Sequence, residues 1–129
     1  MEMKFYRCSH CGQIVAVVKK TGVPVICCGE PMEMLKANAE ESGAEKHLPV
    51  VSAQDGRIDV TVGETLHPME DEHQIEWIYL QTERGGQRKS LKPGEKPHVT
   101  FLFEKDTPLA VFAYCNKHGL WKVRLKASE

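Results

Sequence analysis

The stretch QDGRIDVTV, residues 54–62, combines a turn signal with a strand pattern. Asp55-Gly56 is a strong signal for a tight hairpin with a two-residue turn. After this turn, Ile58, Val60 and Val62 alternate with polar residues, which places the three apolar side chains on one face of a strand. We therefore predict a β-hairpin whose second strand directs one face at a core.

Short alternating segments continue toward the end of the chain. They begin at Pro49 and include residues 76–82, 99–103, 111–115 and 121–125. We expect the segment Glu76–Thr82 to end at Gly85-Gly86. About seven strands and no convincing amphipathic helix predict an all-β fold, a two-sheet antiparallel sandwich of immunoglobulin-like size over residues 37–129. Such a sandwich needs no metal to fold.

Residues 1–36 are predicted to form a separate, Cys-rich unit. Chains below about 40 residues usually need a metal or a crosslink, because their apolar core is too small. We predict short strands at Lys4–Arg7 and Gln13–Val18, with a turn near Thr21-Gly22. The polar stretch Lys36–Ala44 carries no apolar period, so we assign it as the linker between the two units.

The charge balance excludes several classes of partner. The chain has 129 residues with 17 basic and 18 acidic side chains, a formal net charge of −1. Its basic residues are scattered among acids, which argues against nucleic-acid binding. Its apolar runs are far shorter than the ~20 residues that span a bilayer, and no export signal is recognisable. We expect a cytoplasmic protein without a nucleic-acid or membrane partner, whose cysteines stay reduced.

Four cysteines of the first unit are spaced as ligands of one metal ion. Cys8 and Cys11 form a C-x-x-C knuckle, and Cys27-Cys28 follow farther along the chain. Four thiolates suit tetrahedral iron or zinc. Adjacent cysteines diverge along an extended chain, so joint binding requires a distorted tetrahedron, which redox iron tolerates. A structural zinc knuckle and a strained disulfide between Cys27 and Cys28 are the alternatives. His10 is assigned to an exposed loop, because four sulfurs already fill the site.

Five further candidate ligands lie at strand ends and in loops of the second unit: His47, His67, His73, Cys115 and His118. A rigid sandwich can direct side chains at such positions to a shared point. Zinc prefers four ligands, whereas iron accepts five with a sixth position open. A thiolate opposite that position would donate electron density to a bound oxygen species. Alternatively, the histidines are solvated loop residues and Cys115 is a small buried apolar residue. The solitary His98 is assigned to the surface.

With both donor sets, the chain resembles the desulfoferrodoxins, the two-iron class of superoxide reductases. The resemblance covers nearly the whole chain and is carried by the motifs YRCSHCG (6–12), CCGEPM (27–32), EKHLPV (45–50), HPME (67–70), His73, Trp77, LKPG (91–94) and YCNKHGLW (114–121). No ligand position departs from the family pattern. The four amino-terminal cysteines separate this chain from the one-iron class.

The resemblance implies two iron ions per chain. A desulforedoxin-like domain at residues 1–36 would bind ferric iron through Cys8, Cys11, Cys27 and Cys28. An immunoglobulin-like domain at residues 37–129 would hold the catalytic iron equatorially by His47, His67, His73 and His118, with Cys115 axial. The resemblance further implies a homodimer and a rubredoxin-type electron donor.

The implied reaction is the one-electron reduction of superoxide to hydrogen peroxide. Lys46 is expected near the open position, where its charge attracts superoxide and helps to organise a proton-delivering water. Glu45 is similar to the family carboxylate that occupies the sixth position of ferric iron and displaces product. The alternatives are a solvated Glu45 and Lys46 pair, an electron-transfer protein with a saturated second iron, a structural zinc protein, and a superoxide dismutase.

Overall fold

A computed structural model of the chain describes residues 2–38, 47–63, 69–70 and 72–125. The chain divides into two compact units, Met1–Lys36 and Ala37–Glu129. The described residues form twelve β-strands, so the fold is all-β, as the alternating patterns predict. Within the described ranges, no helix has the length and apolar character that crossing a membrane requires.

The first unit contains five short strands: β1 Phe5–Arg7, β2 Ile14–Ala16, β3 Ile26–Cys27, β4 Glu30–Pro31 and β5 Glu33–Met34. β1 lies between β2 and β5 in an antiparallel sheet, and β3 pairs with β4. In the described part of this unit, the buried apolar side chains are Phe5, Cys8 and Met32. So small a core supports the expectation that the unit depends on a crosslink through its cysteines.

The second unit contains seven described strands: β6 Pro49–Gln54, β7 Arg57–Val62, β8 Ile75–Thr82, β9 Gly85–Ser90, β10 His98–Leu102, β11 Pro108–Cys115 and β12 Gly119–Arg124. One antiparallel sheet has the order β10-β7-β6, and the other has the order β12-β11-β8-β9. Side chains from both sheets pack in one cluster, with members such as Ile58, Leu80, Phe101 and Val111 fully buried. This is the two-sheet sandwich that the sequence predicts.

The hairpin predicted at Asp55-Gly56 is present. Gln54 pairs with Arg57 across the two-residue turn, and Gly56 has a φ of 74°. The apolar face of β7 is buried as the alternation predicts, because its three apolar residues are 0% exposed: Ile58, Val60 and Val62.

A second turn differs from its prediction. The chain turns at Glu83-Arg84, whereas Gly85 and Gly86 begin β9 instead of ending the preceding strand. A Cβ on Gly86 would overlap the side chain of Tyr79, which lies on the neighbouring strand β8. The glycine therefore serves the close approach of an aromatic ring rather than a turn.

The segment assigned as a linker contributes to the second sheet at Asn38. The Asn38 amide donates to the Leu120 carbonyl at 2.8 Å, and the Lys122 amide donates to the Asn38 carbonyl at 3.0 Å. These two bonds form a parallel bridge along the edge of β12. The polar side chains of this segment do not predict the pairing of Asn38 with β12, because pairing at a sheet edge depends on backbone groups.

A polar cluster lies on the face of β7 and β10 that points away from the core. Arg57 donates to Asp59 through Nε at 2.9 Å and Nη2 at 3.1 Å, and Thr100 Oγ1 donates to Asp59 at 2.5 Å. His98 is exposed as predicted, although it has partners: Nδ1 lies 2.8 Å from Thr61 Oγ1 and Nε2 lies 3.9 Å from Asp59. The bonds from Arg57 and Thr100 lower the pKa of Asp59 from 3.8 to about 2.

The depressed pKa of Asp59 predicts a loss of stability in acid. A carboxyl whose folded pKa lies below its unfolded value stabilises the fold above pH ~4, and this contribution disappears as the pH falls toward 2. We expect Asp59→Asn to unfold at lower urea concentration than the wild type at pH 5, and the difference to shrink by pH 2. A difference that stays constant over that range would contradict the assignment.

Candidate metal centres

The cysteines of the first unit lie beside two short strands. Cys8 follows β1, and its carbonyl accepts a hydrogen bond from the Gly12 amide at 2.9 Å, which closes the knuckle that carries Cys11. Cys27 ends β3, and Cys28 has a φ of 53°. Because this left-handed conformation turns the chain, both adjacent thiols reach one point. The divergence expected of an extended chain does not arise.

The sulfur positions fit a tetrahedral metal. Cys8, Cys11, Cys27 and Cys28 each offer a sulfur, and these atoms lie within 4.8 Å of one another. The Cys11 and Cys27 sulfurs are 3.7 Å apart. Two sulfurs that each lie about 2.3 Å from a metal in a regular tetrahedron would be about 3.8 Å apart. All four residues are free cysteines, so the alternative of a Cys27–Cys28 disulfide is not realised.

Proton affinity differs among these sulfurs. A hydrogen bond from the Cys11 backbone is the main cause that lowers the pKa of Cys8 from 9.0 to about 6. Hydrogen bonds with the Cys8 and Cys11 sulfurs raise the pKa of Cys27 to about 12. The Cys8 thiol therefore loses its proton more readily than the Cys27 thiol, and a bound metal ion would displace the protons that remain.

His10 does not join this cluster. It is exposed, as predicted from the sequence, and its Nε2 lies 3.1 Å from Glu30 Oε1. His10 lies between Cys8 and Cys11, Glu30 begins β4, and solvent weakens the attraction between these two exposed side chains.

A second set of donors converges in the sandwich unit. His47, His73, Cys115 and His118 each offer one atom, and these atoms lie within 4.8 Å of one another. Cys115 ends β11 and pairs with Gly119 at the start of β12, so the short turn between them returns His118 to the same end of the sheet. His47 precedes β6 and His73 precedes β8, which places all four donors at strand ends.

Three residues that the sequence assigns to this site lie outside the described residues: Glu45, Lys46 and His67. The family resemblance remains the basis for placing them here.

The donor atoms of the second set also fit a common metal ion. His47 Nε2 lies 3.1 Å from His118 Nδ1, and Cys115 Sγ lies 3.8 Å from the same nitrogen. Two nitrogens that each lie about 2.1 Å from a metal, at right angles, would be about 3.0 Å apart. The His73 and His118 rings meet edge to face, with centroids 5.0 Å apart. A mixed set of imidazoles and one thiolate suits a transition metal such as iron.

The donor residues of this centre differ in their exposure to solvent. Cys115 is 0% exposed and His47 is 5% exposed, whereas His118 is exposed. The thiol therefore lies in the core of the sandwich, and the His118 side faces solvent.

Burial sets the protonation of two donors. It is the main cause that lowers the pKa of His73, and the charges of His118 and Lys117 act in the same direction. Burial raises the pKa of Cys115, although backbone hydrogen bonds from Lys117 and His118 oppose it. His73 is therefore a neutral imidazole at pH 7, the form that binds a metal, and metal binding would release the Cys115 proton.

Trp121 supports two of these donors, and sequence reasoning assigned it no role of its own. Its ring stacks on His47 with centroids 4.7 Å apart and an interplanar angle of 14°. Its Nε1 donates to the His118 carbonyl at 3.1 Å. The spacing from His118 to Trp121 is visible in the sequence, but the contact with His47 depends on the fold. Such outer contacts orient metal ligands.

Both units match known families. Desulfoferrodoxin, N-terminal domain, matches residues 1–35, and Desulfoferrodoxin matches residues 39–124. A desulfoferrodoxin from Nitratidesulfovibrio vulgaris is 42% identical over 121 residues, which cover 94% of this chain and 95% of that protein. A desulfoferrodoxin homolog from Archaeoglobus fulgidus is 41% identical over 120 residues, which cover 93% of this chain and 95% of that protein.

A solved structure extends the likeness to three dimensions. The crystal structure of the superoxide reductase from Treponema pallidum superposes with a TM-score of 0.82 at 31% identity, covering 95% of this chain and 98% of that chain. The two converging donor sets fall inside the two matched family regions. The likeness therefore includes the metal-binding chemistry as well as the fold, and this chain belongs to the desulfoferrodoxin family.

Proposed function

We propose that this protein is a two-iron superoxide reductase that reduces superoxide by one electron to hydrogen peroxide. The observation that carries the proposal is the convergence of three imidazoles and the buried Cys115 thiol on one point with a solvent-facing side. Membership of the desulfoferrodoxin family supports it, as does the similarity to the Treponema pallidum superoxide reductase.

The proposed ligand sets follow the two donor clusters. One iron is held by the four sulfurs of Cys8, Cys11, Cys27 and Cys28. The catalytic iron would be held by His47, His73, His118 and Cys115, together with His67. His67 enters this set through the family resemblance.

The protein environment favours the approach of an anion. When bound, the iron of the second centre supplies the electron and a position open to superoxide. The imidazoles are neutral ligands and Cys115 carries one negative charge, so a divalent ion keeps a net positive charge at the site. Burial of Cys115 shields that thiolate from solvent, which preserves its donation to the metal.

The reaction balances with one electron and two protons for each superoxide. An external donor restores the electron that the second centre gives up in each turnover. Solvent supplies the protons, and Lys46 helps to organise the water that delivers them. The exposure of His118 allows water to reach the reacting side of the centre.

Metal content and reaction stoichiometry test this function. We expect two iron ions per chain, visible absorption of ferric thiolate in the oxidised protein, and one hydrogen peroxide formed per superoxide consumed with a reductant present. Zinc in both sites would overturn the proposal. Half a peroxide per superoxide without a reductant would indicate a dismutase. A second iron that binds neither azide nor cyanide would indicate an electron-transfer protein.

The remaining proposals concern partners and location. We propose a homodimer that accepts electrons from a rubredoxin-type donor, both on the basis of the family resemblance. A cytoplasmic location is supported by the five free cysteines, which a reducing compartment preserves. Sedimentation analysis tests the dimer, and mixing with reduced rubredoxin tests the donor.

Replacing Lys46 by Ile should slow the bimolecular reaction with superoxide. Loss of a positive charge near the open position should reduce the encounter rate by about 10-fold and weaken its dependence on ionic strength. Pulse radiolysis measures both quantities.

Arg84→Ile provides a matched control for this charge change. Arg84 follows the far end of β8, whereas the start of β8 pairs with Cys115. An eight-residue strand spans about 25 Å, so this charge lies more than a Debye length from the centre. Equal rates for Lys46→Ile and wild type would remove Lys46 from the scheme.

Replacing Glu45 by Ala should change a late step. We expect an altered visible spectrum of the oxidised protein with the first encounter still fast, because the family carboxylate acts after electron transfer. Stopped-flow spectra and pulse radiolysis report these two properties separately. Complete loss of superoxide reduction would contradict this assignment.

A further inference from the structure

The donors of the second centre lie on two chain segments whose strand pairing is irregular near the site. Cys115 and His118 flank the turn between β11 and β12, whereas His73 precedes β8. The ladder between β8 and β11 is irregular at this end: Tyr114 pairs with Trp77, but Cys115 pairs with Ile75. The ladder therefore joins Cys115 to Ile75, two residues after His73, and bonds nearer to His73 add to this pairing.

Asn116 supplies such bonds on both sides of His73. Its Nδ2 donates to the Glu72 carbonyl at 3.3 Å, and its Oδ1 accepts from the Gln74 amide at 3.0 Å. Its own backbone amide donates to the Gln74 carbonyl at 3.2 Å. The residue next to Cys115 thus holds the two chain neighbours of His73.

The backbone of His73 itself bonds to Glu70, within its own loop. Its amide donates to the Glu70 carbonyl at 3.1 Å, and its carbonyl accepts from the Glu70 amide at 2.9 Å. These bonds shape the loop internally but do not attach it to β11. Asn116 adds bonds that join this loop to the turn that carries Cys115 and His118.

We propose that Asn116 is a positioning residue that holds His73 at the distance from Cys115 and His118 required for a shared metal ion. Its side chain suits this task because one amide group offers both a donor and an acceptor. An aspartate at this position would keep the acceptor for Gln74 and lose the donor to Glu72. An alanine would lose both side-chain bonds and keep the backbone bond to the Gln74 carbonyl.

This inference rests on the proposed iron site, and its test measures iron retention rather than turnover. Loss of an outer partner of a metal ligand typically weakens metal affinity 10- to 100-fold. We expect Asn116→Ala to release ferrous iron from the second centre to a chelator at least about 10-fold faster than wild type. Asn116→Asp should also release iron faster than wild type, because a carboxylate oxygen would replace the donor that faces the Glu72 carbonyl. Visible absorption follows the four-Cys iron separately.

Asp106→Ala is the matched control. Asp106 Oδ1 accepts from the Arg84 amide at 3.2 Å and from the Thr107 amide at 2.8 Å, so it also joins two loops of this unit. Arg84 and Thr107 adjoin the strand ends remote from Cys115. This variant should lower the Tm of the iron-loaded protein while retaining iron as wild type does.

The outcomes separate the possible failures. Faster release than wild type by both Asn116→Ala and Asn116→Asp, with normal release by Asp106→Ala, would support the proposal. Normal release by Asn116→Ala, or equally fast release by Asp106→Ala, would overturn it and leave the proposed function intact. A wild-type chain without iron at the second centre would overturn both. If Asn116→Ala does not fold, the comparison of Asn116→Asp with Asp106→Ala decides.

Discussion

Replacing Cys115 by Ala is expected to abolish superoxide reduction and to lower the iron content from two ions per chain to one. Cys115 is 0% exposed and would supply the thiolate of the second centre. Loss of an outer partner of a metal ligand can lower metal affinity or activity by about 100-fold. Loss of a direct ligand should lower them further. Iron analysis and pulse radiolysis measure the two effects, and the spectrum of the four-Cys centre should persist.

Val111→Ala separates this chemical effect from a packing effect. Val111 lies on the same strand and is also fully buried, but it offers no donor atom. Its truncation should lower the stability and leave both the iron content and the rate per folded molecule unchanged. If Cys115→Ala kept its second iron and its activity, the proposed centre would be wrong.

Replacing Phe101 by Ala is expected to cost the sandwich unit about 3–5 kcal/mol of unfolding free energy. Phe101 is 0% exposed on β10 and packs in the core cluster between the sheets. A protein of ordinary stability has about 5–15 kcal/mol in total, so this one truncation removes a large share. Urea unfolding of the iron-free chain, followed by tryptophan fluorescence, measures the change.

The next residue along the chain provides the control. Leu102 is 67% exposed on the opposite face of the same strand. Its replacement by Ala should change the unfolding free energy by no more than about 0.5 kcal/mol. Equal losses for the two variants would show that β10 does not direct Phe101 into the core as described.

Much of the fold was accessible from local patterns. The Asp55-Gly56 turn predicts the β6–β7 hairpin, and the alternation of Ile58 and Val60 predicts the buried face. These predictions are confirmed because each depends on residues that are neighbours in the chain. Side chains two apart on a strand share a face, whatever lies beyond it.

Predictions that depended on distant residues were less successful. Gly86 was expected in a turn, but it lies in β9 beside the ring of Tyr79. Asn38 resembles part of a linker until its backbone is paired with β12. Cys28 was expected in an extended chain, but its φ is 53°. In each case a tertiary contact or a rare backbone conformation outweighs the local preference.

The amino-acid order alone determined the all-β class, the two groups of sulfur and nitrogen donors, and the family to which they point. Ligand identity and spacing are chemical properties of single residues, so they are legible without coordinates. The tertiary structure decided which groups are in contact. The Trp121 ring stacks on His47, and the side-chain amide of Asn116 bonds to both chain neighbours of His73. The Cys115 thiol is buried in the core, whereas His118 is exposed. Those relations join residues from separate strands, and packing of the two sheets brings them within reach.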